Sequence, residues 1–293
     1  MKKKYIDFRK ERHFGEVFTA TFSFLNQNIK PLGKALMLYA GPFILMAGIA
    51  TALVQSSVFD LQADLYQNNM GQYNDPFEWM YSFFFYYAFI MIFYVIGYTM
   101  IIGVLYSYIT LYVEEGMDNF TLDDVRKRAF SNFFKIIGTN LVIGFIIALG
   151  FVMCCVPGIY LSTSLSLILI IIFSERKGFG DAFSRSFRLT KKQWWWTLLL
   201  IIVTNGIIGA VSYVLSLPQA IISGIITFSS LDGGINSTTQ IVYMFLSVLQ
   251  AFLNSLLYIV PFTSYAFHYY SLVEKTESPA LLEKINNIGT EDE

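Results

Sequence analysis

Six long apolar runs, separated by short polar ones, divide the chain at 35–55, 79–113, 133–154, 157–174, 194–218 and 240–272. A helix needs about 20 apolar residues to cross a bilayer core of about 30 Å, so each run is predicted to be a membrane-spanning helix. The expected fold is all-α: a polytopic membrane protein with six transmembrane helices in three hairpins. Residues 1–34 form a basic N-terminal segment with an interfacial helix, 35–273 the transmembrane domain, and 274–293 a polar tail. The runs 79–113 and 240–272 are longer than a crossing requires. At about 1.5 Å per residue each reaches about 50 Å, so these helices tilt or project beyond the bilayer.

The polar segments between the runs carry a weak threefold repeat. Phe14-Gly15-Glu16-Val17-Phe18-Thr19-Ala20-Thr21-Phe22 aligns with Phe179-Gly180-Asp181-Ala182-Phe183-Ser184-Arg185-Ser186-Phe187. A third copy, Leu122 to Phe130, keeps an acid at Asp124 and an aromatic at Phe130 but has Arg126 where the others have phenylalanine. Each copy precedes a pair of spans, so the predicted unit is an amphipathic helix leading a helical hairpin. Phe14, Phe18 and Phe22, like Phe179, Phe183 and Phe187, stand at i, i+4 and i+8 and form one aromatic stripe along a helix. Glu16 and Asp181 fall in the first turn, where the helix dipole favours negative charge. Such a helix can pack on the ends of its own spans or lie in the membrane interface, aromatics down, against lipid headgroups or a partner. Lys191 and Lys192 before Trp194, Trp195 and Trp196 fit an interfacial anchor.

Composition sharpens the picture. The chain of 293 residues is 55% hydrophobic and 14% charged, against about 25% charged in a soluble domain, and its mean hydropathy is +0.53. All 20 Lys and Arg fall within 1–34, 126–135, 176–192 and 275–284, and none in 56–78, 155–156 or 219–239. By the positive-inside rule both termini face the cytoplasm, which places a multi-pass protein in the cytoplasmic (inner) membrane. The net charge of −1 gives no support to nucleic-acid binding. No Asp, Glu, Lys or Arg lies deep in a span, which weighs against ion-coupled transport and voltage sensing.

The stretch from Pro157-Gly158-Ile159 to Glu175, then Asp181-Ala182-Phe183-Ser184-Arg185-Ser186 and Lys191-Lys192-Gln193-Trp194-Trp195, resembles the membrane-domain family first described beside glycerophosphoryl diester phosphodiesterases. That family includes many stand-alone polytopic bacterial inner-membrane proteins. The resemblance covers roughly 10–275 and implies three hairpins with leading helices. A phosphodiesterase barrel needs about 250 further residues, whereas a short polar tail follows the last run, so the resemblance carries over a membrane module and no catalytic residue.

Candidate chemistry is sparse. Asp60, Asp64, Asp75 and Glu78 make the first external loop acidic, and Asp60 with Asp64 at i, i+4 has the oxygen ligands a divalent cation takes. A solvated acidic loop that obeys the charge rule is the preferred reading, and no metal or other cofactor is expected. The intramembrane polar residues Asn140, Thr204, Asn205, Gln250 and Asn254 are either packing hydrogen bonds between helices or the lining of a polar cavity. Thr204-Asn205 and Gln250 with Asn254 are placed to meet within the third hairpin. His268 reads as an interfacial histidine. With Ser264 or Ser271 nearby it offers the one set from which an intramembrane lipid enzyme could be built. Cys154 and Cys155 lie in a tight external turn. Residues 77–98 hold twelve aromatics, too many for one helix face, so some meet lipid and others meet neighbouring spans. Asn236-Ser237-Thr238 is a glycosylation sequon. The function expected is a non-enzymatic membrane module that binds membrane lipids or a membrane-protein partner. The alternative is a transporter or lipid-translocating permease with Asn140, Asn205, Gln250 and Asn254 along its path.

Overall fold

The computed structural model of the chain describes residues 5–66, 76–117, 119–231 and 237–277. Asp75, Asn236 and the tail from 278 lie outside the described residues, as do the side chains of Asp60, Asp64 and Glu78. The described residues are all-helical: α1 Phe14–Tyr39, α2 Gly41–Tyr66, α3 Pro76–Glu115, α4 Leu122–Ser131, α5 Phe133–Met153, α6 Cys155–Leu165, α7 Ile168–Glu175, α8 Phe179–Thr190, α9 Trp194–Leu231, α10 Ser237–Leu257 and α11 Ile259–Glu277. Five helical stretches are long and apolar enough to cross a membrane: Phe84–Glu115, Phe133–Met153, Cys155–Glu175, Trp194–Ser229 and Thr238–Glu277. Phe14–Tyr39 with Gly41–Gln55, bent by 59° between them, makes a sixth if the bent pair counts as one.

The first span differs from the predicted 35–55. The leading helix does not stop at residue 34 but runs on to Tyr39, and the break falls at Ala40. Pro42 explains the position. It has no N–H to give to the carbonyl four residues back, and it disfavours helical geometry at Gly41. Pro261, in the first turn of α11, sits similarly behind the interruption at Tyr258. The fourth span is interrupted at Ser166–Leu167, where the Ser166 N–H and Oγ both bond Thr163 O, at 3.4 and 2.8 Å. The fifth runs 13 residues beyond the predicted end at 218 because Pro218 sits inside α9 without ending it.

Two compact units divide the chain. The first comprises the residues up to Leu36, Ile102–Gly206 and those from Ile259, and the second Met37–Ile101 and Ile207–Tyr258.

In the first unit three helical segments are buried on every side: Ile102–Tyr112 of α3, Ile168–Phe173 of α7 and Pro261–Leu272 of α11. Three of the hydroxyls among these residues avoid a desolvation cost by bonding their own helix four residues back: Thr110 to Tyr106 O at 2.8 Å, Thr263 to Ile259 O at 2.7 Å and Ser264 to Val260 O at 3.0 Å. Three other helices of this unit bury narrow faces: Val17, Thr21 and Phe24 of α1, Val125 and Ala129 of α4, and Ala182, Ser186 and Leu189 of α8. The start of α4 is fixed by a capping box between Thr121 and Asp124, and the hydrogen bonds from Thr121 hold the Asp124 carboxyl below its ordinary pKa.

α5 turns into α6 through the extended residue Cys154. The two helices approach so closely that a Cβ on Gly150 would lie 3.1 Å from Gly158 Cα and 2.9 Å from Leu161 Cδ1. Backbone cannot yield cheaply there, so Gly150→Val is expected to destabilise the protein by about 1–3 kcal/mol. Gly144→Ala on the same helix, where a Cβ meets open space, should be close to neutral. Thermal melting in detergent compares the two, and equal melting temperatures would refute the close-packing account. Phe134, Val152 and Met153 on α5 are more than 80% exposed, the pattern of a lipid-facing surface.

In the second unit α2 packs along α10, with Gly48 against Val248, and α3 crosses α2 where Gly97 meets Ile44.

Candidate functional site

Three places in the structure gather chemistry. The first is a charged cluster at one end of the first unit. Arg185 of α8, half of whose helix face is buried, donates from Nε to Glu175 Oε1 at 2.6 Å and from its two terminal nitrogens to the Glu277 carboxylate. Tyr269 OH donates to Glu175 Oε1 at 2.8 Å, and Lys177 Nζ reaches Glu175 Oε2 at 2.6 Å. The hydrogen bonds that Arg185 donates to Glu277, and then to Glu175, raise its pKa against the opposing effect of burial. Nearby, Arg128 of α4 joins Glu114 at 2.8 Å and Thr110 Oγ1 at 3.0 Å, and Arg176 shares Glu114 at 3.1 Å. Arg176 adopts the left-handed conformation, φ 53°, where it ends α7. These bonds tie the ends of the buried helices to the amphipathic helices beside them.

The second place is a cavity of about 340 Å³ in the same unit, where α1 begins, α9 begins and α11 ends. Residues 5–13 run as a non-helical strap, of which Arg12 and His13 line the cavity. Phe8 is fully buried, stacked on Phe267 at 3.9 Å and edge-on to Phe24, Tyr112 and Tyr270. Ile6 N donates to Tyr112 OH, and Arg12 N to Ser271 Oγ at 2.9 Å. The Arg12 guanidinium lies 5.0 Å from the centre of the Phe267 ring and donates to the carbonyls of Phe8, Lys10 and Asp7. Burial lowers its pKa, and Asp7 and Glu16 oppose that. His268 lines this cavity. It is buried, at 8% exposure, where α11 is enclosed on every side, and its Nε2 meets Thr197 Oγ1 at 2.8 Å. Ser264 Oγ instead meets Thr21 Oγ1, and Ser271 Oγ bonds the Arg12 backbone, so neither serine is joined to the imidazole.

The third is a cleft of about 380 Å³ in the second unit, between α2, α3 and α10. Its walls are mainly apolar: Ile44, Ala47, Met91, Phe93, Val95 and Ala251, rimmed by Tyr94, Tyr98 and Tyr258. Asn254 also lines it, and its Oδ1 is buried without a hydrogen-bond partner.

The aromatic stripes lie beside the buried faces rather than on them. Phe14, Phe18, Phe179, Phe183 and Phe187 are half-buried, and Phe22 is 46% exposed. Phe14 contacts Trp196 at 5.8 Å, and Phe187 contacts Tyr160 at 6.2 Å. Lys191, Lys192, Trp195 and Trp196 are exposed, while Trp194 stacks on Tyr160. Among the intramembrane candidates, Thr204 bonds its own helix at Leu200 O, and Asn205 donates to Ile201 O and Tyr265 OH. Asn140 Nδ2 and Gln250 Oε1 are buried without partners among the described residues. Thr204 and Asn205 belong to the first unit and Gln250 and Asn254 to the second. Cys154 and Cys155 are exposed thiols. Among the described residues no group of three His, Cys, Asp or Glu is placed to hold a metal ion.

Sequence reading missed the strap, the charged cluster and a polar relay in the second unit. In that relay Ser247 Oγ donates to Gln55 Oε1 at 2.9 Å and accepts from Gln219 Nε2 at 2.9 Å. One signal for the cluster was available: Arg128 and Arg185 occupy the same column of the aligned segments. Neither a protein-family model, nor a curated protein, nor a solved structure matches the chain.

Proposed function

We propose that the chain is a non-enzymatic integral module of the cytoplasmic membrane that binds lipid. Six spans form three hairpins, each led by an amphipathic helix on the cytoplasmic side, where both termini lie. The observation that carries this reading is the apolar cleft between α2, α3 and α10. Its volume falls in the range of about 300–1,000 Å³ typical of small-molecule sites, and its walls belong to helices apolar enough to cross a membrane. A hydrocarbon chain matches such walls, while the Tyr94, Tyr98 and Tyr258 rims and the Asn254 amide suit the polar part of an amphiphile.

The threefold repeat is part of the proposal. Val17, Val125 and Ala182 stand in one column of the aligned segments and Thr21, Ala129 and Ser186 in another, and all six are buried. Arg128 and Arg185, in a third column, each reach back to the glutamate that closes the preceding buried helix. These agreements support three related units. Asn205, which spends its amide on Tyr265, favours packing over the lining of a permeation path.

Ala251→Phe, which fills the cleft from one wall, is expected to reduce the lipid retained by the purified protein several-fold without changing its melting temperature. Lipid extraction and mass spectrometry of wild type and variant measure this. Equal retention would overturn the cleft as the binding site.

A further inference from the structure

The cavity at the start of α1 has a different chemistry from the cleft. Arg12 and Lys275 bring two cations to its walls, with Gln193, Trp196 and His268, and no carboxylate among the described residues lines it. Glu11 lies outside the wall, 3.7 Å from Lys275 Nζ, and Glu16 Oε2 is spent on His13 N at 3.0 Å. α1 opens into the same space. Glu16 N and Val17 N bond His13 O, but the N–H groups of Phe14 and Gly15 ahead of them have no partner among the described residues. Unpaired first-turn amides and the positive end of a 26-residue helix favour an anion. A Cβ built on Gly15 meets nothing within 4 Å, so the approach to those amides is open.

A second observation points to a ligand independently. His268, more than nine-tenths buried, faces this cavity with Nε2 held by Thr197, while its Nδ1 has no partner among the described residues. The indole of Trp196, 52% exposed beside Trp195, belongs at the depth of lipid headgroups.

We propose that this cavity binds a phosphate group through Arg12, Lys275 and the amides of Phe14 and Gly15. A phospholipid headgroup or a soluble phosphate ester could supply it. The site is separate from the apolar cleft and does not depend on it.

The test is calorimetry on the full chain in neutral-detergent micelles, titrated with short-chain phosphatidylglycerol, the matching diacylglycerol and inorganic phosphate. Gly15→Asp is the decisive variant. Its carboxylate suits the first turn of α1 and fits open space, yet it places negative charge where the phosphate would sit. Saturable phosphatidylglycerol binding, at least tenfold tighter than diacylglycerol and at least tenfold weakened by Gly15→Asp at an unchanged melting temperature, is expected. Should Gly15→Asp lower the melting temperature, Lys275→Gln, at a half-exposed side chain, replaces it and should weaken binding at least threefold.

Displacement by inorganic phosphate would show that the phosphate alone suffices. Binding without displacement would assign the site to the lipid. Equal binding of the two lipids overturns this site and leaves the cleft standing, whereas binding of neither overturns both. Undiminished affinity in the variants also overturns the site.

Discussion

Replacing Phe8 by alanine is expected to cost the protein about 3–5 kcal/mol, the range for emptying a buried phenylalanine site. The ring is fully enclosed, stacked on Phe267 and edge-on to three further aromatics. Each such pair contributes about 0.5–1.5 kcal/mol beyond the area it buries. The void cannot close easily, because its walls belong to α1, α3 and α11, helices fixed by their own contacts. The remaining tethers of the strap, chiefly Ile6 N to Tyr112 OH and Arg12 N to Ser271 Oγ, contribute about 1 kcal/mol each and cannot hold it alone. Phe8→Ala should therefore lower the melting temperature in detergent and open the strap to limited proteolysis near Arg9 and Lys10. Tyr5→Ala, at a ring 45% exposed, should do much less. Equal melting of Phe8→Ala and wild type would remove the strap from the stability of the first unit.

Arg185→Ala is expected to be the second most damaging change, at about 3 kcal/mol, the lower end of the range for breaking a buried ion pair. The Arg185 side chain is 10% exposed and Glu175 15%, so both carry most of the desolvation of a buried charge. Glu277, at 39%, retains water, and Lys177 still neutralises Glu175 after the change, which keeps the loss from the upper end. The partners should separate clearly. Glu277→Gln, at the wet side, is expected to cost no more than about 1 kcal/mol. Arg185→Lys should recover only part of the loss, because an ammonium cannot span two carboxylates as a guanidinium does. Adding Glu175→Gln to Arg185→Ala should restore part of the stability by removing the stranded charge. Thermal melts of the four variants check this. An Arg185→Ala protein as stable as wild type would mean that the cluster is a surface arrangement of no mechanical consequence.

Much of the fold was legible because bilayer crossing leaves a coarse, robust mark on sequence. The spans at 133–154 and 194–218 announce themselves by length and apolarity, and α5 and α9 begin within a residue of the predicted starts. Boundaries were legible where a breaker was given its weight. Gly41-Pro42 marks the break that the hydropathy average smoothed into a span beginning at 35. The aromatic periodicity at Phe14 and Phe179 located real helices but not their most buried face, since a stripe chosen for hydrophobicity says nothing of which residues are small enough to pack. The buried face passes through Val17 and Thr21, and through Ala182 and Ser186, where close approach matters more than apolar area. Phe8 was hidden because a single aromatic within a basic run has no period, and its burial depends on Phe267, 259 positions away. The burial of His268 was hidden for a related reason. Depth along a helix can be read from sequence, whereas enclosure by neighbouring helices cannot. The cavity at the start of α1 joins Arg12, Gln193 and Lys275, which no local pattern connects.

The most direct test of the central claim is native mass spectrometry of the full chain extracted gently from its own membrane. Lipid binding predicts a single chain that carries one or more diacyl lipids through mild activation, with fewer retained by Ala251→Phe. A chain released bare under the same conditions, or one carrying a stoichiometric protein and no lipid, would contradict it.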